Sequence, residues 1–142
     1  MTDLVSIDKV RRLEEELLEL PQVDLQTQMF AHGGMGARTI FVPAGTAITG
    51  ALTNIANVCI VCGDITVTTN DGMKRFTGYH VLKAESGFKR AGFAHADTWW
   101  STIWPTEKTD AREMEDEMTS ESEMLQTRRD GIEWAKRPAL EG

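Results

Sequence analysis

The sequence predicts a mainly β chain: a single small barrel or sandwich with an α-helix at each end. Two patterns carry that prediction. Between Met29 and Trp104, short runs rich in Val, Ile, Thr and aromatic residues alternate with turn residues, and no helical period intervenes. On either side of that stretch the apolar spacing changes to three and four residues, the signature of a helix stripe. Size agrees, because 142 residues with 41% hydrophobic content suffice for one core without disulfides or a structural metal. The expected divisions are 1–28 for a helix and linker, 29–105 for the β domain and 106–142 for an acidic helical tail.

The first helix is expected over 6–20. Val10, Leu13, Leu17 and Leu20 form its stripe, Glu14, Glu15, Glu16 and Glu19 cover the rest, and Pro21 ends it. Eight strands follow by pattern, at 38–42, 47–52, 57–62, 65–69, 73–76, 79–83, 88–94 and 98–104. Gly63-Asp64 and Asn70-Asp71-Gly72 read as hairpin turns, and His32-Gly33-Gly34-Met35-Gly36 as a flexible leading loop. The run from Val58 to Cys62 is apolar on both faces, so a terminal helix or a second subunit should cover its outer side. In the tail, Asp110 and Glu113 resemble a capping box. Ala111, Met114, Met118 and Leu125 form a second stripe, and Ile132 and Trp134 a shorter one.

Charge narrows the function classes. With 15 basic and 22 acidic residues the net charge is −7, and the basic residues occur as scattered pairs, so nucleic acid is an unexpected partner. No stretch has the apolar length of a transmembrane helix, and the N-terminus lacks a signal-peptide pattern, so a cytoplasmic location is expected and no membrane partner. Cys59 and Cys62 have a zinc-like spacing, but no second pair completes a ligand set. Three apart on a strand, they point to opposite faces and read as buried packing thiols.

The segment from Val42-Pro43-Ala44-Gly45-Thr46 to Trp104 resembles the cupin superfamily, and especially small cupin-like proteins encoded by tailed bacteriophages. The resemblance rests on those residues, on Gly50 and on Cys62-Gly63-Asp64-Ile65-Thr66-Val67. It continues through Gly78, Ser86-Gly87-Phe88-Lys89-Arg90 and Asp97-Thr98-Trp99-Trp100, and covers roughly half the chain. It implies a cupin-type double-stranded β-helix, or jelly-roll, barrel whose register is set by Gly45, Gly63, Gly78 and Gly87. Metal cupins carry two histidines and a carboxylate in the first motif and a histidine in the second. Laid on this chain, those positions fall near Ala51, Thr53, Ala56 or Asn57, and Lys89 or Arg90, none of them a good ligand. No cofactor and no ordinary cupin metal site are therefore expected.

The resemblance, the missing ligands and the apolar surface in need of cover together give one expectation. It is a non-enzymatic, homo-oligomeric protein of phage or prophage origin with a structural or accessory role, assembled through its terminal helices and a barrel face. Other virion proteins are then candidate partners, and the host cytoplasm or a virion is its place. A second expectation is a binding module or enzyme for a small anionic ligand. Its site would be Arg90, Thr53 and Trp100 in the barrel interior, with Arg90 either gripping the anion in bidentate fashion or pairing with Glu85 or Asp97. A third is a metal enzyme using a noncanonical set, His80, His95 and Asp97, with solvent-facing roles for the histidines as the plainer alternative. Alternation along the last strand puts Trp100 and Trp104 on one side and Trp99 on the other, which suits an interface. None of the serines sits in a nucleophile elbow, so no catalytic residue is assigned.

Overall fold

A computed structural model describes residues 4–129. Helix α1 (Leu4–Leu18) is followed by β1 (Gln28–His32), β2 (Met35–Val42), β3 (Ala47–Thr49), β4 (Asn57–Thr69), β5 (Gly72–Ala84) and β6 (Ala91–Pro105). Helix α2 (Ala111–Met118) and two short 3-10 turns complete the described chain. All strand pairs are antiparallel, in the order β1-β2-β6-β4-β5, with β3 alongside β6 at the end that β2 leaves free. The sheet does not close: β1 and β5 have no further strand partner among the described residues. The expected barrel is thus an open, mainly antiparallel sheet.

The strands are fewer and longer than the sequence pattern suggests. The runs at 57–62 and 65–69 are one strand, β4, because Gly63 forms a bulge and not a turn. The register with β6 shifts there, and the freed Asp64 amide donates to Thr98 Oγ1 at 3.0 Å. Gly63 sits at φ +148, and a Cβ on it would collide with Thr98 Oγ1. Only glycine fits such a position. On the facing strand the runs at 73–76 and 79–83 likewise join as β5, and those at 88–94 and 98–104 contribute to β6. The Asn70-Asp71 turn stands as expected between β4 and β5. The glycine-rich loop is also structured: Gly33 and Gly34, at φ +59 and +77, make the two-residue turn of the β1–β2 hairpin.

The concave face carries one core of Cys59, Val61, Ile65, Val67, Ala84, Phe88 and Trp100. A second, of Trp104, Met114 and Met118, forms where α2 closes one end of the sheet. Asp110 caps α2 by accepting the Glu113 amide at 3.1 Å. Of the expected tail stripe, Met114, Met118 and Leu125 are buried and Ala111 is exposed, while Ile132 and Trp134 lie outside the described residues. In α1, Ile7 and Val10 are buried, but Leu20 falls beyond the helix and is exposed.

Lys89 fastens these parts together. Its fully buried ammonium meets Glu14 Oε2 of α1 at 3.1 Å, Glu121 Oε1 at 2.9 Å and the Gly50 carbonyl at 3.0 Å.

On the outer face, the strand register aligns Phe41, Trp99, Cys62 and Tyr79 in one row, and Ile60 and Val81 in the next. The helices leave this face open: Tyr79 is 66%, Val81 57% and Trp99 45% exposed. Trp99 stands outward while Trp100 and Trp104 face inward, as alternation requires. Cys59 is buried and Cys62 exposed, so only one of the two thiols is a core residue.

Candidate functional site in the concave face

The inward phase of the central strands builds the site. Arg38 of β2 is paired with Thr102 of β6, and Thr102 with Cys59 of β4, so these three form an inward row. The adjacent row holds Ile40, Trp100 and Val61. Arg90 enters just before β6, near Phe88, and Thr53 comes from the loop before β4. All of these but Val61 line a chamber of about 120 Å³, with Asn57, Met118 and Leu125 also in its wall.

Arg90, Thr53 and Trp100, the ligand residues expected from sequence, thus share one chamber. Arg90 Nη1 donates to the Thr68 carbonyl at 2.7 Å. Its guanidinium carbon lies 4.6 Å from the Phe88 ring centre and 5.8 Å from that of Trp100. The expected ion pair with Glu85 or Asp97 is absent among the described residues. Asp97 Oδ1 instead accepts the Ala44 amide at 2.9 Å, and the carboxylate pairing belongs to the neighbouring Lys89. Thr53 is partly turned to the backbone, its hydroxyl 3.4 Å from the Phe88 carbonyl.

Arg38 is the residue that sequence reasoning missed. It is half-buried, its Nε is sealed from solvent, and its side chain has no hydrogen-bond or ion-pair partner among the described residues. Burial lowers the pKa of its guanidinium, and the nearby Glu115 only partly offsets this. The Glu115 carboxylate is itself committed to Arg128 Nε at 3.0 Å and Thr127 Oγ1 at 2.5 Å. The signal was available in Arg38-Thr39-Ile40-Phe41-Val42, where the arginine shares a phase with Ile40 and Val42, but Phe41 made the inward phase ambiguous.

The same environment acts on the other groups of the chamber. Burial lowers the Arg90 pKa, opposed by Cys59, and pushes the Cys59 thiol up, opposed by Arg90. Cys59 Sγ lies 3.3 Å from Asn57 Oδ1 and serves as a weak donor. The chamber therefore holds two arginines, several neutral polar groups and no carboxylate among its described lining residues.

The alternative metal set is not gathered. His80 Nε2 lies 2.9 Å from the Thr77 carbonyl on β5, and His95 Nε2 lies 2.7 Å from Thr66 Oγ1 on the other side of β4. With Asp97 at the Ala44 amide, the three serve separate local contacts. Among the described residues no three His, Cys, Asp or Glu side chains stand close enough to hold an ion. No described helix is long and apolar enough to cross a membrane.

Fold and site together define an antiparallel β protein with a cationic chamber on its concave face. Its neighbours among solved structures include cupin-superfamily proteins and proteins of unknown function. They include an RmlC-like cupin with a double-stranded β-helix fold from Methanocaldococcus jannaschii, at 10% identity and a TM-score of 0.48 over 61% of this chain and 83% of that one. A cupin-2 domain protein from Shewanella frigidimarina matches at 13% identity and a TM-score of 0.46, over 64% and 90% of the two chains. A cupin-superfamily protein from Desulfitobacterium hafniense matches at 11% identity and a TM-score of 0.46, over 62% and 84%. No protein-family model and no curated protein sequence matches the chain.

Proposed function

We propose that this protein is a binding module for a small organic anion, held in the concave chamber by Arg38 and Arg90. The observation that carries this reading is the pair of arginines, one with a buried and unpartnered Nε, lining one space that contains no carboxylate among its described lining residues. An unpaired buried charge costs several kcal/mol, and a carboxylate that accepts the forked N–H donors would offset that cost. Phe88 and Trp100 supply apolar walls, and Thr53, Asn57 and Thr102 supply hydrogen-bonding groups that can orient the ligand. No reaction is assigned to the site. Calorimetric titration with a panel of small carboxylates tests the reading. The unaltered chain should bind at least one of them, and an Arg90→Gln variant that remains folded should bind about tenfold or more weakly. Equal binding by that variant counts against it.

A second reading keeps the accessory role suggested by the phage-cupin resemblance, with the chain acting as an assembling subunit. It is favoured by the open apolar face that includes Tyr79, Val81 and Trp99. Light scattering should then report more than one copy per particle, and Val81→Lys should shift the mass toward one copy. A single-copy mass for the unaltered chain at micromolar concentration would exclude it.

A further inference from the structure

A second, larger space of about 390 Å³ adjoins the chamber, bounded by the end of α1, the linker that follows it, β3 and the two 3-10 turns. The two spaces share Arg38, Ile40, Ile48 and Leu125 in their walls, so Arg38 borders both. Arg129 lines the outer space. Its Nη1 donates to Gln22 Oε1 at 2.9 Å, while its Nε is buried without a partner among the described residues. Burial lowers the pKa of this guanidinium, with Glu14 acting in the opposite direction.

Glu14 is the only acid among the described lining residues of either space. Its Oε2 is already engaged, by Lys89 Nζ at 3.1 Å and Thr49 Oγ1 at 3.1 Å. The two adjoining spaces are thus lined by three arginines and one committed carboxylate, in a chain whose net charge is −7. The lining of the larger space also includes the aliphatic residues Leu17, Leu25, Ile40 and Ile48, beside polar Gln22, Thr46, Thr49 and Gln126.

We infer that the ligand carries two acidic groups joined by an apolar body: one carboxylate between Arg90 and Arg38, the other at Arg129. The inference rests on the reading of the deep chamber as an anion site and adds the ligand class, an α,ω-dicarboxylate. A monoacid seated in the deep chamber leaves Arg129 without its counter-charge. A diacid satisfies both ends, and its methylene chain replaces water along the aliphatic wall.

Calorimetric titration of the full chain with length-matched pairs, valerate against glutarate and hexanoate against adipate, tests this. At least one diacid should bind about tenfold or more tightly than its monoacid. In a folded Arg129→Gln variant that advantage should shrink to about twofold or less with monoacid affinity unchanged, and Arg129→Lys should retain part of it. Equal affinities for mono- and diacids in the unaltered chain, or an undiminished advantage in Arg129→Gln, overturn the inference and leave the deep anion site standing. Failure of every acid to bind the unaltered chain overturns both.

Discussion

Lys89 and Arg90 are adjacent in the chain and have opposite electrostatic situations. Lys89 is sealed between two carboxylates, whereas Arg90 faces the chamber and donates only to a backbone carbonyl. Removing the Lys89 ammonium leaves Glu14 and Glu121 close together in a poorly solvated place. Lys89→Ala should therefore lower stability by about 3–5 kcal/mol in urea unfolding, with Lys89→Met less damaging because it keeps the volume. A change under about 1 kcal/mol would mean that this contact does not fasten α1 and the C-terminal segment to the sheet. Arg90 was legible in the sequence as a cation at a barrel-lining position. Lys89, Arg38 and Arg129 were not. The importance of Lys89 comes from partners 32 and 75 residues away, and that of the two arginines from buried N–H groups left without one.

At the scale of elements, Gly63 has the least freedom to vary. Its φ is +148, and a Cβ at this position would approach the Asp97 carbonyl to 2.6 Å, so alanine strains the backbone and forces β4 and β6 apart. Gly63→Ala should cost at least about 2 kcal/mol in thermal or urea unfolding, and a neutral outcome would show that the bulge can relax. Asp110→Ala should cost only about 1 kcal/mol, the ordinary loss of an N-cap. Alternation and turn residues placed most of the β segments correctly, together with the inward tryptophans and the α2 cap. They misjudged Gly63, because a glycine–aspartate pair signals a turn as readily as a bulge, and only the β6 register separates the two. The β1–β2 hairpin was hidden for a related reason, since a glycine-rich segment reads as a loop until a strand is known to flank each side.

For the whole molecule, the closed barrel expected from the resemblance is replaced by an open sheet whose concavity is completed by α1, α2 and the 3-10 turns. These accessory pieces are held by acid–base contacts, so stability should depend on pH. Burial alone would raise the Glu121 carboxyl, but the Leu52 amide and Lys89 outweigh it and hold the pKa below the usual glutamate range. A depressed folded-state pKa contributes stability that is fully present above the unfolded value and is lost as the pH falls through the folded one. Urea midpoints should therefore be flat near neutrality and decline below about pH 4.5, with a shallower decline in Glu121→Gln. An equally steep decline in that variant would assign the acid sensitivity to other carboxylates, such as Asp64 beside Arg75.

The binding role depends on an anion occupying the space between Arg38 and Arg90. Crystals soaked with a bromine-labelled small carboxylate give the most direct reading, through the anomalous signal of the bromine. The predicted result is a peak inside the chamber against Trp100, with the carboxylate within hydrogen-bonding reach of both guanidinium groups. A chamber filled by the protein's own side chains, with Arg90 turned to solvent and bromine found only at the surface, would contradict it.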